Sequence, residues 1–99
     1  MRSDPEEWKV CPLCDRPIPP DLESRHHLIP KLKGGKHGPI AIVHAICHSK
    51  IHSVFSEAEL AKSYSTIEAL REHGEMKKFI RWIRKRPPEF RSKNRSPKG

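Results

Sequence analysis

Cys11 and Cys14 bracket the tetrapeptide Cys-Pro-Leu-Cys, and a third cysteine, Cys47, lies far along the chain. Two thiols at that spacing sit on one tight turn and point to one place. Three cysteines cannot complete a disulfide framework. The chain nevertheless needs a cross-link. It has 99 residues, of which 34% are hydrophobic and 32% charged, with 10 prolines. A domain so small and so poor in apolar material usually carries a metal or another staple. No apolar run is long enough for a membrane helix or the core of a secretory leader. The expected setting is therefore cytoplasmic and reducing, where such cysteines bind metal more often than they pair.

Local signals predict one α+β domain. Residues 1–10 are polar and read as a flexible leader. Cys11 to Pro17 reads as a knuckle, and Pro17, Pro19 and Pro20 forbid regular helix after it. Residues 25–30, Arg-His-His-Leu-Ile-Pro, have no helical period and predict a short strand ended by proline. Residues 31–39 form a basic loop broken by Gly34-Gly35 and Gly38-Pro39. The β-branched run at 40–43 predicts the second strand of a hairpin. Beyond residue 44 or 47, Ile51, Val54 and Phe55 share one helical face. Ser56-Glu57-Ala58-Glu59 fits a capping box and starts a helix to about residue 64. Ser65-Thr66-Ile67-Glu68 repeats that signature and predicts a helix to about residue 73, with Gly74 as its C-cap. Met76, Phe79, Ile80 and Ile83 give a core stripe over 75–86, stopped by Pro87-Pro88. Tyr64 and Trp82 are read as helix-packing residues. Residues 89–99 are expected to be a basic disordered tail. The expected layout is a core over 11–55, a helical extension of two or three helices over 56–88, then the tail.

Two constellations carry chemistry. A structural Zn²⁺ takes four Cys or His ligands, usually as two closely spaced pairs. Cys11 and Cys14 supply one pair. His44 and Cys47 repeat the same spacing and supply the other, with His52 as the alternative fourth ligand to His44. The second constellation is His26-His27 with His48 and His52. His48 and His52 are four apart and share a helix face. His26 and His27 are adjacent on a strand and point to opposite sides, so one of them joins a metal and the other stays free as a base. Neutral imidazole suits zinc, nickel and related ions.

The formal charge is +8 and the pI about 9.8, which points to a polyanionic partner. No Asp or Glu occurs from Ser24 through Ser56, a stretch holding Arg25, Lys31, Lys33, Lys36, Lys50 and six of the seven histidines. A second basic block runs from Lys77 to the end, with Glu89 its only acid.

Arg25-His26-His27-Leu28-Ile29-Pro30-Lys31-Leu32-Lys33-Gly34-Gly35, followed by His44-Ala45-Ile46-Cys47-His48 and by His52, resembles the HNH endonuclease family. The resemblance spans about 45 residues including the upstream cysteine pair. It implies a ββα-metal core, a β-hairpin then a helix gripping one catalytic divalent ion (Mg²⁺, Mn²⁺, Ni²⁺ or Zn²⁺), with a zinc knuckle beside it. His27 matches the general base, His26 and His48 match metal ligands, and His52 matches a further ligand in some branches. His44 stands where the third knuckle cysteine would be. The loop asparagine that names the family is missing here, and His37 is its nearest polar stand-in. The implied activity is DNA phosphodiester cleavage with weak sequence preference. Arg25, Lys31, Lys33 and Lys36 would contact phosphates, and residues 77–98 would trail along the strand. A zinc-stabilised nucleic-acid-binding module without catalysis explains the cysteines and the charge, but leaves the four histidines without a role. Monomer and weak dimer both stay open.

Overall fold

In the computed structural model, which describes residues 7–31, 34–35 and 37–90, the chain turns back over its cysteine pair at once. Lys9–Val10 (β1) pairs antiparallel with Pro17–Ile18 (β2). Between them the Cys11 amide donates to the Arg16 carbonyl at 2.9 Å, and the Asp15 amide donates to the Cys11 carbonyl at 2.8 Å. The turn requires a left-handed residue, and Asp15 takes that position with φ 61°. Positions 9 and 10 therefore belong to a ladder, which corrects the reading of residues 1–10 as a free leader. Residues 1–6 lie outside the described residues.

A single 3₁₀ turn, Pro20–Leu22, buries Leu22 and ends on Glu23 in an extended conformation. The chain thus enters Glu23–His27 (β3) directly, two residues before the expected start, and leaves it at His27. Ile40–His44 (β4) pairs antiparallel with β3, with Glu23 opposite His44 and His27 opposite Ile40. Ala45–Val54 (α1) follows with no intervening loop, and His44 is its N-cap residue. Cys47, Ile51 and Phe55 repeat every four residues and are buried together.

The capping box forms at Glu57–Lys62 (α2): the Ser56 hydroxyl accepts from the Glu59 amide, and the Glu59 carboxylate accepts from the Ser56 amide. The second signature is displaced by one residue. Thr66, not Ser65, caps Ile67–Glu72 (α3), its hydroxyl accepting from the Ala69 amide at 3.1 Å. Gly74 does not close α3. It opens Gly74–Ile83 (α4), and His73 is both the end of α3 and the cap of α4, its Nδ1 accepting from the Glu75 amide at 3.1 Å. His73 ends α3 at negative φ, so the left-handed freedom of glycine is not used there.

The result is an α+β protein with two two-stranded sheets and four helices among the described residues. Leu13, Ile18 and Leu22 from the knuckle meet Val43, Ile51 and Phe55, and Leu60, Leu70, Met76, Ile80 and Ile83 complete the core. Phe90 packs against that core, so the end of the described chain is not a polar tail from residue 89 onward. Buried Arg16 secures it, donating to the Pro87 carbonyl at 2.6 Å. Residues 91–99 lie outside the described residues. Tyr64 packs on Phe55 with centroids 4.5 Å apart, whereas Trp82 stays 42% exposed. No described helix is long and apolar enough to cross a membrane.

Candidate metal centres

The knuckle brings Cys11 and Cys14 against the first turn of α1, where Cys47 points inward. All three sulfurs lie within 4.8 Å of one another and are buried. N–H donors stand behind two of these sulfurs. The His44 amide reaches the Cys11 sulfur at 3.4 Å, and Arg16 Nε donates to the Cys14 sulfur at 3.2 Å. Hydrogen bonds from Cys11 and Cys47, with Arg16 behind them, hold the Cys14 thiol far below its ordinary range. The complementary bonds push Cys47 up. Three convergent sulfurs with N–H donors behind two of them can hold a zinc ion.

His44, the fourth expected ligand, is fully buried beside this group, its amide on the Cys11 sulfur. The ring of His44 is not part of the sulfur group. As the last residue of β4 it falls on the strand face opposite Val43, near Arg16, Cys14 and the Pro88 carbonyl. Burial, then Arg16, pushes its pKa down. Both ring nitrogens are buried without a hydrogen-bond partner among the described residues. His52, the alternative fourth zinc ligand, stands in the other cluster.

That cluster joins β3 to α1. His26, His48 and His52 each present a ring nitrogen within 4.8 Å of the others. His48 and His52 are one helical turn apart, with their Nε2 atoms at 3.1 Å. His26 comes from the strand, its ring centroid 5.2 Å from that of His48 and 5.6 Å from that of His52. His26 is 1% exposed, and neither of its nitrogens has a partner among the described residues. An unpaired buried polar group costs about 1–3 kcal/mol, and a bound cation would supply the missing partner. Burial first, then the neighbouring His48, His52 and His27, pushes the His26 pKa down to about 4. Burial and the same kind of crowding lower His48. His26 and His48 are therefore neutral at pH 7, the form a metal needs.

Ser24 completes the cluster and was not singled out from sequence. Its hydroxyl shares a hydrogen bond of 2.5 Å with His48 Nδ1, which leaves Nε2 facing the other rings. Ser24 and His26 alternate along β3 and so share its inner face. Ser24→Ala is expected to weaken Ni²⁺ binding about 10- to 100-fold. Calorimetric titration measures this, and an unchanged affinity would remove Ser24 from the site.

The low His26 pKa sets a pH dependence. Unfolded His26 takes up a proton near 6.5, folded His26 only near 4. Between those values the unfolded state binds more protons, so stability falls as pH falls across that window. Without an ion in the cluster, Tm is expected to drop from pH 6.5 to about 4 and to level off below. His26→Gln flattens the profile. Equal slopes for the two proteins would contradict the assignment.

The other predicted positions are dispersed. His27 is half-buried at the end of β3, on the face opposite His26. Arg25 lies exposed on that outer face, and Lys31 is exposed at the start of the loop. Lys33 and Lys36 lie outside the described residues. His37 is exposed in the loop and is not part of the histidine cluster. Backbone bonds close the loop instead: the Leu28 amide donates to the Pro39 carbonyl at 3.1 Å, and the Gly35 amide to the Pro30 carbonyl at 3.1 Å. Gly35 lies so close to residue 29 that a Cβ there would stand 1.7 Å from the Ile29 carbonyl oxygen. Gly35→Ala is expected to cost about 1–3 kcal/mol in a denaturant titration; a neutral result would mean the loop is not held this way.

Fold and clusters define a small α+β protein with a buried three-cysteine group and a three-histidine group on a strand–helix junction. The chain is 40% identical over 81 residues to the uncharacterized protein YisB of Bacillus subtilis (strain 168), an alignment covering 81% of this chain and 78% of that protein. The chain belongs to the same family as YisB. No family model and no solved structure matches it.

Proposed function

We infer that the chain is an HNH-type, metal-dependent DNA endonuclease. One observation carries the reading: His26, His48 and His52 converge, while His27 stands next to them on the strand and faces away. The β3–β4 hairpin running directly into α1 is the ββα order that the HNH resemblance implies. His26, His48 and His52 would hold a divalent ion, and both orphaned nitrogens of His26 fit that role. When bound, such an ion supplies Lewis-acid stabilisation of charge on a phosphate and its leaving 3′-oxygen.

The protein's own groups do the rest. His27 takes a proton from the water whose oxygen attacks phosphorus; the P–O3′ bond breaks, and the leaving 3′-oxygen takes its proton from solvent. His27 needs a fixed backbone for this. In the HNH resemblance an asparagine holds the loop. Here the Leu28–Pro39 and Gly35–Pro30 backbone bonds support the strand end that carries His27. Ser24 fixes the His48 ring. Arg25, exposed on the same strand face as His27, would hold a phosphate of the strand being cut. Cys11, Cys14 and Cys47 hold a structural zinc that fastens the knuckle to α1.

Incubation with supercoiled plasmid tests the reading. Nicked product is expected with Mg²⁺, Mn²⁺ or Ni²⁺ and none in EDTA. No nicking with any of these ions would refute it.

A further inference from the structure

We propose that the outer face of α4 is a docking surface for the phosphate backbone of duplex DNA, separate from the histidine cluster. The proposal deepens the nuclease reading and rests on it for the identity of the polyanion.

Successive residues of a helix are turned by about 100°. On that wheel Lys77, Lys78 and Arg81 fall within an arc of about 100°, and Arg84 and Lys85 follow in the turn after Ile83. All five are exposed. Arg71 and Glu72 of α3 line a depression shared with Lys77, Arg81, Arg84 and Lys85. No acid occurs from Met76 through Pro88. Residues three and four apart on a helix lie about 5–6 Å apart at Cβ, so the cations form a row rather than a point.

Part of this charge is already used. Asp15 pairs with Arg84 at 3.1 Å and with Arg71 at 3.6 Å, and Glu72 pairs with Lys77 at 3.5 Å. Those contacts fasten the knuckle and α3 to α4. Among the described residues no ion pair involves Lys78, Arg81 or Lys85. These three cations take no part in the ion-pair network that fastens the fold.

The geometry favours DNA over a membrane. A helix that lies on a bilayer inserts its apolar side. Here Met76, Ile80 and Ile83 are already committed to the protein core. What remains outside is the cation row with Trp82 at its edge, whose ring stacks under the Arg86 guanidinium at 4.6 Å. A row of cations beside a rigid aromatic suits a backbone with evenly spaced phosphates. The surface is also joined firmly to the proposed site. Lys50 of α1, the helix carrying His48 and His52, pairs with Glu75 at 3.9 Å and lies over the Phe79 ring at 5.7 Å.

The test is fluorescence anisotropy of a short labelled DNA duplex, titrated at several salt concentrations without divalent metal. The full chain carrying His27→Ala is compared with the same chain also carrying Lys78→Ala, Arg81→Ala and Lys85→Ala. Alanine suits an exposed helix, and matching melts establish that both are folded. The triple change is expected to weaken binding at least about tenfold and to reduce the slope of log K against log salt by about 3. A control carrying Lys9→Ala and Lys62→Ala, cations elsewhere on the surface, keeps most of its affinity. Unchanged affinity and slope in the triple variant, or an equal loss per charge in the control, would overturn the proposal. So would binding to phosphatidylserine vesicles as tight as to DNA. Plasmid nicking by the wild type reports on the other reading separately: duplex binding that depends on these three residues, without nicking, leaves the surface standing and removes the nuclease.

Discussion

His27→Ala is expected to lower the rate of plasmid nicking by about 10²- to 10⁴-fold while leaving metal affinity and Tm unchanged. The separation follows from strand geometry. His26 and His27 are consecutive in β3, so their side chains leave opposite faces. His26 turns into the cluster and is buried; His27 is half-buried and lies outside the group of convergent nitrogens. Removing His27 therefore takes away no ligand and opens no core cavity. His26→Ala should behave differently, losing both activity and Ni²⁺ binding. Calorimetry with each variant, beside single-turnover nicking, separates the two. If His27→Ala cuts as fast as wild type, the water is activated by another group.

Cys47→Ser is expected to have the largest effect on stability. Cys47 is fully buried at the start of α1 and is the only one of the three thiols contributed from outside the knuckle. It is thus the link between the knuckle and the hairpin–helix unit. Structural zinc contributes about 10–16 kcal/mol of apparent free energy in small metal-folded modules, against a typical domain stability of about 5–15 kcal/mol. Losing one of three sulfurs should leave the chain without bound zinc and without a cooperative melt. Cys14→Ser should match it. A Cys47→Ser protein that melts cooperatively at the wild-type Tm would show that the cysteines are ordinary core thiols.

Much of this arrangement is legible in the sequence because it rests on spacing. The Cys11–Cys14 turn, the one-turn interval between His48 and His52, and the Ser56 capping box are set by local geometry alone, and each forms as read. What spacing does not fix is direction at the ends of elements. His44 repeats the knuckle interval with Cys47 and is buried at the strand end, yet its ring lies outside the group of three sulfurs. Ser65 and Thr66 both offer a hydroxyl, and the backbone selects the second. Gly74 resembles a helix stop, but His73 makes the turn without it. Arg16 and Ser24 were hidden for different reasons. A buried arginine runs against the usual exposure of charged residues, and besides the Cys14 sulfur its partners, the Arg86 and Pro87 carbonyls, are far away in sequence. Ser24 acts through a long-range bond to His48 across the strand–helix junction.

The division of labour between the two clusters is tested most directly by stepwise metal removal from one preparation. The protein is dialysed against EDTA, then analysed for zinc content, for its melt and for plasmid nicking before and after adding back Mg²⁺, Mn²⁺ or Ni²⁺. The account predicts that one zinc and a cooperative fold survive the dialysis, that nicking is lost, and that the added ion restores it. Nicking that persists in EDTA, or an intact zinc-bound protein that never nicks with any added ion, would contradict it.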